Sequence, residues 1–405
     1  MRFALLGDHP DGLDMACALA ASGRHELVLY SGPASGMQAL QRQGVTPRSI
    51  ADLEEVLADP DVDAVIVASG PALRPAQLRR AVQSECHVLC VHPADPSPDL
   101  AYEIALIQAD TGRVLLPLLP LTFHPGLEYL AEPMDKSRET ARSNDPVPRL
   151  LELEIWSAEE VLLEADIELH KPGLPGWDAL RFLGGEISEI HVLSSGEELT
   201  PGRPCLISGR FLAGGMFQAT HLPNQAHPYL RLSLVTAGGR RSLIFDEGWP
   251  GPARWFEEGS GDSVGPIWPA SNPWIPLIEH FEQAVAQSAG KKPLPGQPAG
   301  SCLTKPPVCL GWQDEWRALE LDDAARRSAE RGRGSTLDFQ EATEEAGFKG
   351  TMTLLGCSLI WLSLIVLILA VWMPVLVWFI LPVFGLFLVM QTLRWVLPPK
   401  MKDET

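Results

Sequence analysis

The chain has 405 residues, 46% hydrophobic and 20% charged, with 51 acidic side chains against 32 Lys and Arg and a formal net charge of −19. That apolar share excludes a disordered chain and leaves room for two ordinary domains plus extras. No basic stripe breaks the acidic balance, which excludes nucleic acid as a partner.

Residues 1–6 are too short for the apolar segment of a secretory signal, and Asp8 and Asp11 follow at once. The first third then alternates. Strands are predicted at 3–6, 25–30, 62–68, 87–91 and 114–119, and helices at 13–22, 50–58, 75–84 and 100–109. Continuous apolar strands separated by helices mean a parallel sheet covered on both faces, and right-handed crossovers make it doubly wound. A polar loop at 137–147 follows, and the pattern changes. A strand at 150–156 and a short helix at 177–183 precede strands at 187–193, 205–212, 216–221, 229–235 and 242–245. "AGG" at 213 and again at 237 punctuates them as hairpins, so an open, mostly antiparallel sheet is expected. Residues 250–273 read as an extended surface segment, 274–287 as a helix and 293–307 as a loop. Residues 315–331 read as an amphipathic helix whose alternating charges form a solvated face.

The C-terminal end differs. From Thr351 to Val396 the only charged residue is Arg394. Met373-Pro374 splits the run into 351–373 and 375–396, each close to the ~20 residues a helix needs to span the hydrocarbon. Trp372 and Trp378 flank the split and Trp395 sits near the exit, where interfacial rings belong. Arg331, Arg333 and Lys349 precede the first span, and Arg394, Lys400 and Lys402 end or follow the second, which puts both termini and the folded domains in the cytoplasm. A basic patch touching anionic lipid is diluted by Glu330 and the acidic run at 341–345. The expected organisation is a Rossmann-type domain at 1–122, an α+β sheet domain at 123–335, a linker at 336–350, a transmembrane hairpin at 351–397 and a cytoplasmic tail at 398–405. The bilayer is thus an expected partner. Seven cysteines lack paired zinc spacing, so thiols in a reducing compartment and no metal are expected.

Chemistry concentrates first at Gly7-x-His9-x-x-Gly12, which follows a strand and opens a helix. The outer glycines suit either a plain strand-to-helix turn or a dinucleotide-binding one: Gly7 for the tight bend, Gly12 for close helix–strand packing. The middle glycine, which lets a pyrophosphate approach the backbone, is replaced by His9. The second strand ends in Tyr30-Ser31-Gly32 with no carboxylate for a ribose 2′-hydroxyl. Ser31 with Arg42 or Arg48 suits a 2′-phosphate better, which favours NADP over NAD.

The stretches "DAVIVAS" (63–69), "CHVLCVHP" (86–93), "GWDALRFLGGEISEIHVL" (176–193) and "ELDDAARRSAERGR" (320–333) occur in the order found in the Gfo/Idh/MocA oxidoreductase family, and residues 1–335 resemble it. The resemblance implies a Rossmann domain, an open-sheet domain that can pair copies of the chain into a homo-oligomer, and NAD or NADP acting on a polyol or sugar-like molecule. It places Ala68 and Ser69 among the cofactor contacts and His92 where the family carries a lysine, with Val91 in place of the preceding glutamate. The family's aspartate–histidine pair falls on Lys171 and Pro175, and proline cannot move a proton. His92, Lys171 and His170 are therefore the candidate catalytic groups. His124 and Tyr129 are candidate substrate contacts, and His221 and His227 read as polar surface. Two function classes remain open. One is a membrane-anchored nucleotide-binding oxidoreductase. The other is a catalytically degenerate sensor or membrane scaffold in which the dinucleotide is retained or lost.

Overall fold

In a computed structural model, the chain is described at residues 1–95, 97–131, 150–158, 176–196, 199, 203–236, 239–258, 265–270, 272–290 and 310–337. It divides into compact units Met1–Phe339 and Gln340–Thr405, and every described residue belongs to the first. The expected transmembrane hairpin, the tail, nearly all of the linker, and the loops at 137–147 and 293–307 lie outside the described residues. Among the described residues, no helix is long and apolar enough to cross a membrane.

Six parallel strands build the first sheet: β1 (Arg2–Leu6), β2 (Glu26–Ser31), β3 (Arg48–Ser49), β4 (Ala64–Val67), β5 (His87–Val91) and β6 (Leu115–Leu118), in the order β3-β2-β1-β4-β5-β6. The direction of winding reverses between β1 and β4, which is the switch point where such sheets open a crevice at their strand C-termini. β4 and β5 are buried at every position, as their continuous apolar runs require. The helices are α1 (Pro10–Ala21), α2 (Ala34–Arg42), α3 (Leu53–Leu57), α4 (Arg74–Gln83) and α5 (Pro98–Thr111). Local chemistry sets their ends. In α5, Ser97 Oγ accepts the Asp99 N–H at 3.2 Å, Pro98 occupies the first turn where no N–H is needed, and Gly112 closes the helix at φ 64°.

The second sheet has nine strands: β7 (Leu150–Ala158), β8 (Ile187–Ser194), β9 (Cys205–Phe211), β10 (Met216–Gln225), β11 (Tyr229–Thr236), β12 (Gly239–Phe245), β13 (Ala253–Glu257), β14 (Ile267–Trp268) and β15 (Ser335–Thr336). Their order is β14-β13-β12-β11-β7-β10-β9-β8-β15. All neighbours are antiparallel except β7 and β10, which run parallel. One face packs on α6 (Trp177–Gly184) and α8 (Trp312–Arg331) in a core that includes Leu153, Trp177, Ile190, Phe217 and Leu321.

The structure corrects four sequence expectations. α2 and β3 were not predicted: β3 is two polar residues long, and α2 carries Ser35 and Gly36, which weaken its helical pattern. Residues 250–273 are not a surface segment throughout, because β13 buries Ala253 and Trp255 while exposing Arg254 and Phe256, a period-two pattern hidden by flanking Gly and Pro. α7 (Trp274–Gly290) falls in the second domain by sequence, yet its Trp274, Leu277, Ile278 and Phe281 join the core of the first sheet. Each such buried side chain contributes about 1.5–3 kcal/mol, enough to hold α7 there. Finally, 315–331 is not a solvated face: Glu315, Arg317 and Asp322 are buried. α8 spans both layers. Near its start Trp312 Nε1 donates to the Ala101 carbonyl of α5 at 2.8 Å, and further on Ser328 Oγ accepts the Val192 N–H of β8 at 3.0 Å.

Candidate active site

The switch point is built first from backbone. Gly7 sits at φ +97°, and a Cβ there would run into the backbone of Ala68 and Ser69. Its N–H donates to the Ser31 carbonyl at 2.7 Å, and the His9 N–H donates to the Ala68 carbonyl at 2.9 Å. A Cβ added to Gly12 would meet the Ala68 side chain, so α1 lies hard against the end of β4. Both glycines are thus where a tight turn and close helix packing demand them.

Side chains then occupy the start of α1. Pro10 has no N–H, and His9 Nδ1 accepts the Asp11 N–H at 3.3 Å. Asp8 Oδ2 accepts the Ser35 hydroxyl at 2.8 Å, tying the turn to α2. Burial first, then the charge of Arg74, pushes His9 down to about 4, so its imidazole is neutral at pH 7. Burial raises the Asp11 carboxyl, and Arg74 and His92 pull it back. Ser31 meets the turn through its carbonyl. Arg48 is engaged by Asp59 at 2.7 Å.

Arg74 opens α4 as a fully buried cation. Its Nε donates to the Ser69 carbonyl at 2.9 Å and its Nη1 to the Pro93 carbonyl, so one guanidinium braces the loops that end β4 and β5. His92 stands beyond it on a half-buried shelf. Its Nδ1 lies 2.7 Å from Glu315 Oε2, and Glu315 Oε1 accepts the Ala94 N–H at 2.6 Å. Both oxygens of a fully buried carboxylate are therefore committed to one loop. Burial opposes charge on the ring, but the Glu315 carboxylate overrides it, with Asp322 and Asp178 adding to the effect, and the imidazole is held up at about 9. At neutral pH this makes His92 an imidazolium, a cation and proton donor. Burial raises the Asp178 carboxyl, which the Ala179 N–H and the charge of His92 partly counter.

His170 and Lys171 lie outside the described residues. His124 is a core histidine. It is 6% exposed, accepts the Gly126 N–H at 3.1 Å, sits among Phe245, Trp249 and Trp268, and is lowered by burial to about 4. Tyr129 packs on Trp255 and Trp268. His221 is not polar surface: it is buried on β10, with Nε2 3.3 Å from Ser157 Oγ. Among the described residues, no group of three or more His, Cys, Asp or Glu could hold a metal. Sequence reading missed Arg74 and Glu315. The signal for Glu315 was its place at helical spacing in line with the apolar Trp312, Trp316 and Leu319. For Arg74 it was a cation at a helix N-terminus, against the macrodipole.

Residues 15–117 match the Gfo/Idh/MocA profile, an oxidoreductase family with an NAD-binding Rossmann fold. The match begins after the turn at 7–12. A 98-residue stretch, 24% of the chain, is 31% identical to 1,5-anhydro-D-fructose reductase of Ensifer adhaerens and spans 29% of that enzyme. Over 133 residues, 33% of the chain, identity is 27% to D-xylose 1-dehydrogenase (NADP(+)) 2 of Haloferax volcanii, spanning 41% of it. The chain thus matches less than half the length of these relatives. In fold the likeness is wider. A myo-inositol dehydrogenase structure from Corynebacterium glutamicum superposes with a TM-score of 0.60 at 18% identity, covering 84% of this chain and 99% of that one. Levoglucosan dehydrogenase, in complex with NADH and levoglucosan, gives 0.63 at 15% identity, covering 84% and 99%. By sequence profile residues 15–117 are thus similar to the Gfo/Idh/MocA oxidoreductase family, and the chain shares its fold with these dehydrogenase structures.

Proposed function

We propose that the chain is a membrane-anchored, NAD(P)-dependent oxidoreductase that works on a polyol or sugar-like substrate, with carbonyl reduction the direction favoured near neutral pH. The observation that carries this reading is the His92–Glu315 pair at the end of β5, 2.7 Å apart, beside a Rossmann switch point. The residues fit a nicotinamide dinucleotide in two respects. Gly7 and Gly12 allow the tight turn and the close packing of α1 against Ala68 and Ser69 at the switch point. Arg74 and His92 supply positive charge next to that turn. The fit is looser at the start of α1, where Pro10 and the His9 ring remove amide donors that would otherwise meet a diphosphate.

The dinucleotide, when bound, supplies the hydride. The chain's own residues would manage the proton. Reduction of a carbonyl leaves an alkoxide oxygen, and His92 Nε2 is a donor already charged at pH 7. Glu315 would hold the ring on Nδ1 and stabilise it in the protonated state. The two relatives' names, a reductase and a sugar dehydrogenase, support this substrate class. NADP over NAD rests on Ser31 and Arg42. The cytoplasmic placement of both termini rests on the charges around 351–396, and pairing of copies through the second sheet rests on its exposed Leu193, Met216 and Phe256.

The test is NADH and NADPH binding to the detergent-solubilised chain, read by fluorescence and by melting temperature, followed by turnover on a panel of polyols and their keto forms. Cofactor at ~100 times its dissociation constant should add a few kcal/mol of apparent stability. His92→Ala should lower kcat by ~10²–10⁴ with a modest loss of cofactor affinity; unchanged turnover removes His92 from the chemistry. A second reading, a nucleotide-binding sensor or scaffold without turnover, is favoured by the occupied start of α1 and by Pro175. Binding without turnover across the panel selects it, and absence of binding sinks the oxidoreductase.

A further inference from the structure

At the far end of α8 from the candidate active site, α8 finishes in a left-handed Gly332, with its N–H on the Ala329 carbonyl and the Arg333 N–H on the Ser328 carbonyl, both at 3.3 Å. The chain then turns into β15, which pairs with β8. The turn is pinned, because a Cβ on Gly334 would strike the His191 ring of β8. Arg327 lies one helical turn before Arg331, and the reversal brings Arg333 to the same place. Together with Gly334, Ser335 and Thr336 these arginines line a cleft of about 430 Å³.

This cleft gathers unmatched charge. Many arginines elsewhere find carboxylates: Arg79 meets Glu103 at 2.7 Å, Arg181 meets Glu186 and Asp314 at 2.7 Å, Arg231 meets Glu154 at 2.8 Å and Arg254 meets Asp246 at 2.6 Å. Even Arg327 is held by Asp323. Arg331 and Arg333 are exposed and have no side-chain partner among the described residues, in a chain whose acids outnumber its bases 51 to 32. Two guanidinium forks beside two hydroxyl donors are suited to the oxygens of a phosphate group. Only residues 337–350, ending in Lys349 and Gly350, separate the cleft from the apolar run that begins at Thr351.

We propose that this arginine cleft docks the headgroup of an anionic phospholipid and so fixes the folded unit against the membrane surface. The proposal rests on the reading of 351–396 as a membrane anchor and is independent of the oxidoreductase chemistry.

The experiment uses the full chain in nanodiscs of phosphatidylcholine with increasing phosphatidylglycerol, read by hydrogen exchange across 327–336. Exchange should slow as phosphatidylglycerol rises and stay fast in pure phosphatidylcholine. In the double variant Arg331→Gln/Arg333→Gln, the anionic fraction needed for half-protection should rise about fivefold for each arginine removed, with the denaturation midpoint unchanged. Equal protection in both lipids overturns the proposal. So does protection by inorganic phosphate in pure phosphatidylcholine discs, which would make it a free-anion site. Lipid-independent protection that vanishes when Glu341, Glu344 and Glu345 become Gln also overturns it, because the chain's own acidic run would then be the occupant. A chain that enters neither disc overturns the membrane reading and the docking together, while the binding of NADPH still reports on the oxidoreductase.

Discussion

The two ends of the switch-point crevice are fixed by different things. At the β1–α1 turn the backbone decides: Gly7 at φ +97° and Gly12 against Ala68 set a tight strand-to-helix turn, while His9 and Asp11 decide what the turn presents. At the end of β5 side chains decide. His92 is held positive because Glu315 supplies its partner. The contrast separates two kinds of constraint. Turn glycines are required by packing whether or not a ligand binds. A charge at a site can be carried by a different side chain if a second residue adjusts its proton affinity.

The largest expected effect tests the first half of the contrast. Gly7→Ala forces a side chain into a left-handed backbone and into the Ser69 main chain. Strain and overpacking each typically cost about 1–3 kcal/mol, so chemical denaturation should show a loss of several kcal/mol, with NADPH binding abolished. A fully stable Gly7→Ala protein would mean that the turn is not fixed by packing.

Next comes the charge at the other end. Glu315→Gln leaves the half-buried His92 imidazolium without its carboxylate, and breaking a fully buried pair costs about 3–5 kcal/mol. The ring can shed its proton instead, so a loss of about 3 kcal/mol at neutral pH is expected, together with a His92 imidazole that is neutral at pH 7 by NMR. The pH dependence follows from the same group. His92 rises from 6.5 unfolded to about 9 folded, so its contribution is fully present below pH 6.5 and is lost as pH climbs through 9. His124 goes the other way, from 6.5 to about 4. Folding excludes its proton, and stability falls as pH drops from 6.5 toward 4. Unfolding measured from pH 4 to 10 should show a maximum near 6.5, and Glu315→Gln should flatten only the alkaline arm. A wild-type curve without an alkaline arm would contradict an imidazolium at position 92.

How much of this was legible in the sequence depends on how far apart the interacting residues lie. β1, β4 and β5 could be read because each is a continuous apolar run, and Gly7 and Gly12 because their spacing is local. The parallel register of β7 with β10 could not, since it joins residues 150–158 to 216–225 with α6, β8 and β9, among the described residues, lying between them in the chain. Glu315 escaped for a related reason. Its partner is 223 residues away, and a helix reading "DEWRALELDD" looks solvated until Trp312 and Trp316 are seen to be buried. Charge alternation described the composition of α8 but not which face turned inward.

The smallest expected effect bears on the altered cradle. His9 caps α1 by taking the Asp11 N–H on its own ring, so it competes with any diphosphate oxygen for that donor. His9→Gly returns the amide and removes the ring, at a cost of a few tenths of a kcal/mol in helix capping, since glycine is itself a tolerated cap. One recovered hydrogen bond to a charged group contributes about 1.5–3 kcal/mol. Asp8 and Asp11 remain nearby and oppose a dianion, so the net gain should fall toward the lower end, about tenfold in NADPH affinity by fluorescence titration at fixed salt. The neutral state of His9 at pH 7, lowered to about 4, means that the ring offers no compensating charge to lose. A fall in affinity on His9→Gly would reverse the assignment, making the imidazole a phosphate contact and the cradle a working one.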